Sequence, residues 1–242
     1  MAAEAPAREA TLYRGVLAAA TGVARAPGGL QTRLMILVGQ YDSPYVRRVA
    51  VSLRLLGLPY EHDTRSVFGD FDDMRRTNPL GRIPSLVLED GEVLIDSAAI
   101  LDHIDETVGP NRALIPPRGA ERRACLRRIA LATGAIDKAG GGVVYELLVR
   151  PSRYRWPEWI ERCRTQAVGA LAALDAADWP AAERLDQSQI TATCLLFYLN
   201  VNAPEMIPPG QYPVLDALLA RCETMEAFWA TAFTEYRVPR AE

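Results

Sequence analysis

The fold is decided by residues 35–56, which read MILVGQYDSPYVRRVAVSLRLL. The stretch begins with four apolar residues, a run of the length expected for a short buried strand. A polar turn leads to Ser43 and Pro44; serine is a favoured N-cap, and proline suits the first position of a helix. The Ser43 hydroxyl is therefore predicted at the mouth of a helix, beside unpaired backbone N–H groups and the positive end of the helix dipole. An anion, a thiolate included, would be held at such a place.

The helix that begins at this serine has two predicted faces. Apolar residues recur at three- and four-residue spacing from Val46 to Leu56. Three arginines, Arg47, Arg48 and Arg54, fall between them. This spacing predicts an amphipathic helix with one apolar stripe and one basic face.

Strand and helix patterns alternate after this helix. A short strand is predicted over residues 60–64, a short helix or loop over 66–76, and a strand with a proline near its start over 83–88. A tight hairpin joins that strand to another over 93–95, and a further helix follows. The order predicts a small α/β layer of about 75 residues with both parallel and antiparallel strand pairing.

Strand patterns disappear beyond a Pro/Gly-rich linker at residues 113–119. Helices are predicted over 121–150, 157–177, 213–222 and 225–234, and three glycines at 140–142 should bend or loosen the first of these. Another helix begins at Asp186, where Gln189 has the spacing of a capping box. Its apolar content predicts that this helix is buried on nearly all sides.

The composition excludes some classes of partner. The chain has 242 residues, of which 49% are apolar and 24% charged, with a net charge of -3. This supports a core for one large domain or two modest ones. The basic residues are scattered and the balance is slightly acidic, so no nucleic-acid partner is indicated. No apolar run approaches the roughly 20 residues that span a bilayer, so no membrane partner is indicated either.

The cysteines do not form a recognisable site. Cys125, Cys163, Cys194 and Cys222 lie far apart in the second half, without a CxxC pair or neighbouring histidines. Neither a metal site nor a disulfide framework is expected from this spacing. We predict small buried residues in a protein of the reducing cytosol.

The first 34 residues differ from the rest of the chain. They are rich in Ala, Arg and Gly and show little apolar periodicity. A secretory signal is disfavoured, because Glu4 and Glu9 interrupt the charged start and Arg25 interrupts the end. We expect a disordered extension, or an upstream start codon with Met35 as the true beginning.

Three motifs in order and register resemble the cytosolic glutathione transferases: SPYVRRV, NPLGRIPSLVLEDGEVLIDS and AAILDHIDE. The resemblance covers about 200 residues from Met35 onward, and it points to the serine-type bacterial branch and, more distantly, to the plant tau-like enzymes. It implies a thioredoxin-like α/β domain with a mixed four-stranded sheet at 35–112, the linker at 113–119 and an all-α helical domain at 120–242.

The resemblance gives Ser43 a catalytic role. It matches the serine that donates a hydrogen bond to the glutathione sulfur and stabilises the thiolate. Such help is needed because a free thiol has a pKa of about 8.5 and is mostly protonated at neutral pH. The alternative is that Ser43 is only an N-cap. Tyr41 and Tyr45 flank it and rank below it, and no cysteine precedes Cys125, which disfavours the cysteine-using redox branches.

Five more residues are implied to bind glutathione. Pro84 matches a cis-proline, and Ile83 before it would offer its backbone to the cysteinyl amide. Asp96 and Ser97 match an acidic-serine pair that holds the γ-glutamyl end, where a carboxylate can pair with an ammonium group. Arg82 matches a basic residue that can reach the glycyl carboxylate. The alternatives are an N-cap at Asp96 and Ser97 and a solvated charge at Arg82.

The electrophile is expected between the two domains. Tyr41, Tyr145 and Tyr154 are the candidates for its pocket, since aromatic, largely apolar walls suit flat hydrophobic electrophiles. Ordinary helix packing would explain the same aromatic residues.

The predicted function is attack of a Ser43-stabilised glutathione thiolate on a small hydrophobic electrophile. Glutathione would serve as co-substrate, without a further cofactor or metal. The resemblance also implies a cytoplasmic homodimer with a role in detoxification. Two alternatives stay open, because fold alone does not decide function. One is a non-catalytic domain of this family that binds a ligand or partner; the other is a glutathione-dependent isomerase, dehalogenase or etherase.

Overall fold

The computed structural model describes residues 34–181 and 183–233. An α/β layer comes first, and its elements are β1 (Met35–Val38), α1 (Pro44–Leu55), β2 (Tyr60–Asp63), α2 (Phe71–Thr77), β3 (Ser85–Val87), β4 (Val93–Ile95) and α3 (Ser97–Val108). Helices follow: α4 (Gly119–Ile136), a π-helical segment (Asp137–Val144), α5 (Tyr145–Leu148), α6 (Pro157–Asp175), α7 (Gln187–Asn202), α8 (Pro213–Glu223) and α9 (Glu226–Trp229), with 3-10 turns at Ser152–Tyr154 and Pro204–Met206. Residues 1–33, which contain nearly all of the predicted extension, lie outside the described ranges.

The four strands form one mixed sheet in the order β2-β1-β3-β4. β1 and β2 are parallel, with Leu37 opposite His62, whereas β1–β3 and β3–β4 are antiparallel, with Leu86 opposite both Leu37 and Leu94. The mixed pairing follows from the connections, because α1 carries the chain over to a parallel strand while a tight turn joins β3 to β4. The predicted thioredoxin-like domain followed by helices is confirmed.

Helix α1 lies at the centre of the molecule. It packs against α3 over the sheet and against α7 and α9 of the helical half. Its Val46, Val49 and Leu53 side chains are fully buried. The other face of the sheet carries a smaller cluster, in which Met74 of α2 packs on strand residues. The two halves therefore share one continuous core around α1.

The predicted basic face of α1 is wrong. Arg47 and Arg48 are each only 2% exposed, and Arg54 alone of the three arginines reaches the surface. The reason is that α7 and α9 cover the side of α1 that would face water in an isolated domain. Arg47 is accommodated there because its Nη2 donates to the Phe228 carbonyl at 2.9 Å and its guanidinium lies 3.9 Å from the centre of the Phe197 ring.

Helix α7 is the buried centre of the helical half. Asp186 caps it by accepting from the Gln189 backbone N–H, and the Gln189 side chain accepts from the Asp186 N–H, so the predicted capping box is present. The burial predicted for this helix is confirmed, since twelve of its sixteen residues are buried. Arg128 of α4 pairs with the Asp186 carboxylate at 3.0 Å and so connects the cap to the neighbouring helix.

The glycines at 140–142 widen the helix rather than end it. They lie in the π-helical segment, which continues directly from α4 into α5. A Cβ on Gly142 would collide with the Cys163 side chain of α6, so this glycine allows the two helices to approach closely. The helix predicted over 225–234 is much shorter, because α9 ends at Trp229; Thr234 lies outside the described residues.

The segment between the two halves is held on both sides. The Asp105 carboxylate of α3 accepts from the backbone N–H groups of Leu114 and Ile115 at 2.7 and 2.9 Å. The Leu114 carbonyl in turn accepts from the Gln187 N–H at the start of α7. Within the two described ranges, no helix is long and apolar enough to cross a membrane.

Candidate functional site

Ser43 occupies the position predicted for it, at the mouth of α1. Its Oγ accepts a hydrogen bond from the Val46 backbone N–H at 3.4 Å, so the residue is an N-cap. The cap uses an oxygen lone pair, which leaves the hydroxyl proton available to a ligand. Before it, Gly39 has a φ of 126°, and a Cβ there would meet both Ile83 and Val46 within 3 Å. A glycine is therefore needed for the β1–α1 loop to pass this close to Ile83 and Val46.

A cavity of about 270 Å³ opens beside Ser43, between the β1–α1 loop and the helical half. We refer to it as the Ser43 cavity. Its walls come from four segments: the loop and the start of α1, the loop before α2, the loop before β3, and the helical half from α4 to α7. The lining residues used below are Asp42, Ser43, Tyr45, Phe68, Arg82, Ile83, Asp137, Tyr145 and Tyr198.

A second cavity of about 320 Å³ lies at the start of α3. We refer to it as the Ser97 cavity. Pro84, Asp96 and Ser97 line it, and the Ile83–Pro84 peptide bond is cis, as predicted. Four residues line both cavities, namely Tyr45, Arg82, Ile83 and Asp137, so the two adjoin. All six residues predicted for glutathione binding therefore line one of these two adjoining spaces.

Asp96 has an unusual backbone conformation at the mouth of α3. Its φ is 69°, a value that non-glycine residues rarely adopt, and its Oδ1 accepts from the Ala98 N–H at 2.8 Å. Such a conformation costs energy and is concentrated at functional sites. Asp96 is exposed while Ser97 beside it is buried, so the pair presents a carboxylate at the rim and a hydroxyl inside.

Arg48 is a site residue that the sequence interpretation missed. Its Nη2 donates to the Ser97 Oγ at 2.8 Å, and the side chain lines the Ser97 cavity. The Nε and Nη1 groups have no hydrogen-bond partner among the described residues. Burial lowers the pKa of Arg48, while the neighbouring Tyr45 and Asp96 oppose this shift. A buried guanidinium with unused donors beside a cavity is suited to bind an anion. The sequence pattern does not distinguish Arg48 from its neighbour Arg47, since both are predicted to lie on the same basic face.

Tyr45 and Asp137 form a hydrogen bond between the two halves. The Tyr45 hydroxyl donates to the Asp137 carboxylate at 2.6 Å and also approaches the Thr133 carbonyl at 3.2 Å. Both residues line both cavities, so the pair marks the boundary between them. Burial and the Asp137 carboxylate raise the pKa of Tyr45, which keeps its hydroxyl protonated. The hydroxyl of this tyrosine is thus occupied by Asp137.

Of the three tyrosines predicted for the electrophile pocket, Tyr145 lines the Ser43 cavity. Its ring meets Phe68 edge-on, with 5.6 Å between the ring centres. Tyr41 does not line it, because its ring stacks on His62 at 3.9 Å and its hydroxyl bonds to that of Tyr60. Tyr154 is also misplaced by the prediction: it is 61% exposed on a 3-10 turn outside the cavity.

Two aromatic residues of the cavity were missed, Phe68 and Tyr198. Phe68 lies in a polar loop before α2, and Tyr198 lies on a helix whose all-round burial predicts a structural residue. The hydrophobic periodicity of the sequence identifies neither residue as part of the site, because tertiary packing brings both to the cavity.

The four cysteines are all buried and unpaired. Burial raises the pKa of Cys125 and of Cys194 to about 12, so these thiols stay protonated at neutral pH. Within the part of the chain that the structure describes, no group of three or more His, Cys, Asp or Glu residues could hold a metal ion.

Comparison with known proteins agrees with the fold. The family model described as "Glutathione S-transferase, N-terminal domain" matches residues 37–112. A glutathione transferase family member from Pseudomonas fluorescens Pf-5, solved with bound glutathione, is 33% identical with a TM-score of 0.72; the match covers 81% of this chain and 98% of that one. The chain therefore belongs to the glutathione S-transferase family.

Two curated relatives illustrate the range of the family. The uncharacterized GST-like protein YibF of Escherichia coli K12 is 29% identical over 203 residues, which is 81% of this chain and 98% of that protein. A probable maleylacetoacetate isomerase of Drosophila melanogaster is 24% identical over 203 residues, covering 81% of this chain and 80% of that protein. Family membership thus leaves the reaction open.

Proposed function

We propose that the protein is a serine-type glutathione transferase, in which glutathione lies across the two cavities and an electrophile enters the Ser43 cavity. The observation that carries the proposal is the adjoining pair of cavities. A helix-capping hydroxyl lies at one end, and a buried arginine with two unused donor nitrogens lies at the other. A thiol and a carboxylate of one small peptide would match these two ends.

The charged groups suit the parts of glutathione. Asp96 at the rim of the Ser97 cavity would pair with the γ-glutamyl ammonium. Arg48 and Ser97 would receive the adjacent carboxylate, which supplies the anion that the Arg48 guanidinium lacks. The Ile83 backbone would hold the cysteinyl amide, and exposed Arg82 would reach the glycyl carboxylate.

Ser43 would then act on the sulfur. Its hydroxyl proton and the N-terminus of α1 favour the thiolate over the thiol. The thiolate is the nucleophile that attacks the electrophilic carbon. Holding both reactants in adjoining cavities supplies further acceleration, because alignment alone can lower a barrier by about 7 kcal/mol or more.

The finer assignments are part of the same proposal. Four unpaired buried cysteines suit a reducing compartment, which supports a cytoplasmic enzyme. Phe71 and Leu80 leave apolar surface exposed on the first domain, which supports a homodimer built on that face. A role in detoxification rests on the resemblance to the family. Sedimentation analysis would test the dimer directly.

An isomerase is the second candidate, and it is favoured by the similarity to the Drosophila protein named as a probable maleylacetoacetate isomerase. It would use the same glutathione site and differ in the second substrate. A non-catalytic binding domain is less well supported, because it has less reason to keep both the unused donors of Arg48 beside Ser97 and a hydroxyl at the mouth of α1.

The test combines glutathione calorimetry with a chloronitrobenzene conjugation assay on the same sample. The proposal predicts binding and turnover. Binding without turnover would favour the isomerase, which an assay of cis-trans isomerisation would then check. No binding at millimolar glutathione would contradict the enzymatic proposal and favour the binding domain.

A further inference from the structure

The two cavities differ in the charge of their walls. Arg48 lines the Ser97 cavity and is absent from the walls of the Ser43 cavity. Each cavity has two carboxylates: Asp42 and Asp137 line the Ser43 cavity, and Asp96 and Asp137 line the Ser97 cavity. Arg82 is the one cationic side chain among its described lining residues, and it is shared with the Ser97 cavity.

Asp42 lines the Ser43 cavity next to the proposed catalytic serine. It directly precedes Ser43 and is partly buried. Burial raises the pKa of its carboxyl, and the backbone N–H of Ser43 opposes that shift. Tyr145 lines the same cavity, and its pKa is raised by burial and, to a smaller extent, by the charge of Asp42.

Asp137 is fixed from the other side. Its carboxylate accepts the Tyr45 hydroxyl at 2.6 Å, which sets its position at the boundary of the two cavities. The remaining walls include the rings of Phe68, Tyr145 and Tyr198. Aromatic faces attract cations and accept neutral rings, whereas they give no charge that would balance a carboxylate.

We propose that the Ser43 cavity selects neutral or cationic electrophiles and discriminates against electrophiles that carry carboxylates, with Asp42 and Asp137 as the specificity-determining residues. This rests on the proposed function, since it concerns the second substrate of that site. A carboxylate-bearing electrophile would meet both aspartates and the glutathione thiolate in one partly desolvated space, where like charges repel more strongly than in water. Arg82 would not offset this, because the glycyl carboxylate of glutathione occupies it.

The same charges separate the two candidate reactions. An isomerase acting on a maleylacetoacetate-like compound must admit two carboxylates to this cavity. A transferase for neutral or cationic electrophiles meets no such conflict. The wall charges therefore favour conjugation.

The experiment measures binding of three glutathione conjugates to the full chain at low salt by calorimetry. They are S-benzylglutathione and its para-carboxy and para-trimethylammonio derivatives, which share the glutathione part and place a neutral, an anionic or a cationic group in the Ser43 cavity. We expect the carboxy conjugate to bind about tenfold more weakly than S-benzylglutathione, a difference of roughly 1.4 kcal/mol. The cationic conjugate should bind at least as tightly as the neutral one.

Asp42→Asn and Asp137→Asn should each reduce the difference in binding affinity between the carboxy and cationic conjugates. Both replacements keep the shape of the side chain, and the amide oxygen introduced at position 137 can still accept from Tyr45. Asp102→Asn is the matched control, because Asp102 is exposed on α3 and lines neither cavity. It removes the same charge and should leave the differences in affinity among the three conjugates unchanged.

Each outcome is decisive. Equal affinities for the three conjugates, with glutathione itself bound, would overturn the charge selectivity and leave the proposed function standing. The charge selectivity would also be overturned if Asp102→Asn reduced the affinity difference as much as Asp42→Asn does. The net charge of the protein would then be the cause of the difference. Failure of glutathione to bind would overturn the proposed function together with this inference.

Discussion

The Ser43 cavity and the Ser97 cavity are built on the same local device and differ in what lies beside it. Each has a serine at the mouth of a helix, Ser43 before α1 and Ser97 at the start of α3. An aspartate directly precedes each serine, Asp42 before Ser43 and Asp96 before Ser97. The difference is the buried Arg48 guanidinium, which contacts Ser97 and does not line the Ser43 cavity. A helix mouth alone attracts any anion. Under the proposed function, the added guanidinium suits the Ser97 cavity to a ligand carboxylate, and the mouth of α1 at Ser43 holds the thiolate.

The largest expected effect comes from breaking the device at Ser43. Ser43→Ala should lower the conjugation rate by about 100-fold or more, since it removes one positioned donor to a developing anion. Glutathione affinity should stay within a few-fold, because the Ser97 cavity is untouched. Steady-state kinetics measures the conjugation rate, and calorimetry on the same variant measures the glutathione affinity. Ser43→Thr keeps a hydroxyl and should retain much of the rate; equal losses in both variants would mean that the hydroxyl is not responsible.

Arg48→Met tests the other cavity, with Arg47→Met as a matched control one residue away. Arg48→Met should weaken glutathione binding by about tenfold or more, through loss of a charged donor to a carboxylate. Folding stability should hold or rise, because a buried cation with two unused donor nitrogens is replaced by an apolar side chain.

Arg47→Met should do the reverse. It removes the bond to the Phe228 carbonyl and the contact with the Phe197 ring, and we expect a loss of about 2 kcal/mol in urea unfolding. Glutathione affinity should change little. If both variants lost stability alike and kept affinity alike, Arg48 would be a structural residue.

A smaller effect is expected where the two cavities meet. Tyr45→Phe removes the hydroxyl that joins the halves through Asp137. The free energy of unfolding should fall by about 1 kcal/mol, the usual net value of one hydrogen bond. Tyr154→Phe removes an exposed hydroxyl outside the cavity and should change it by less than about 0.5 kcal/mol. Urea denaturation measures both, and equal values would show that Tyr45 does not join the halves.

The smallest effect is a pH dependence at Asp42. Burial raises the folded-state pKa of this carboxyl above its ordinary value of 3.8. The folded protein then binds the proton more tightly than the unfolded chain, so stability falls as the pH rises from 3.8 through the raised pKa. Asp42→Asn should therefore be more stable than the wild type at neutral pH, and this advantage should vanish below pH 3.8. A variant less stable at neutral pH would contradict the assignment.

Local signals predicted what depends on local chemistry. The Ser43–Pro44 start of α1 and the Asp186–Gln189 capping box follow from hydrogen bonds within one helical turn, and both appear in the structure. The mixed sheet followed from the order of strand and helix patterns and from the resemblance. The six residues proposed to bind glutathione were identified from the resemblance. Without it, the local chemistry predicts only helix N-caps and an exposed arginine at these positions.

Tertiary packing decided the rest. Arg47 and Arg48 have the spacing of a solvated face, and they are buried because helices far later in the chain, α7 and α9, cover that face. Tyr145 lies in the apolar run VVYELLV and lines the cavity, whereas Tyr154 lies between Arg153 and Arg155 and faces water. The two arginines indicate a solvated segment at Tyr154, but the place of Tyr145 in the cavity depends on its contact with Phe68, far earlier in the chain.

The central claim is that Ser43 and the mouth of α1 stabilise the glutathione thiolate, and the most direct test is the pKa of bound glutathione. The ultraviolet absorbance of the thiolate, titrated with glutathione bound to the wild type and to Ser43→Ala, measures it. We predict a pKa of about 7 or below in the wild type and a return toward about 8.5 in the variant. A pKa near that of free glutathione in both proteins would contradict the account.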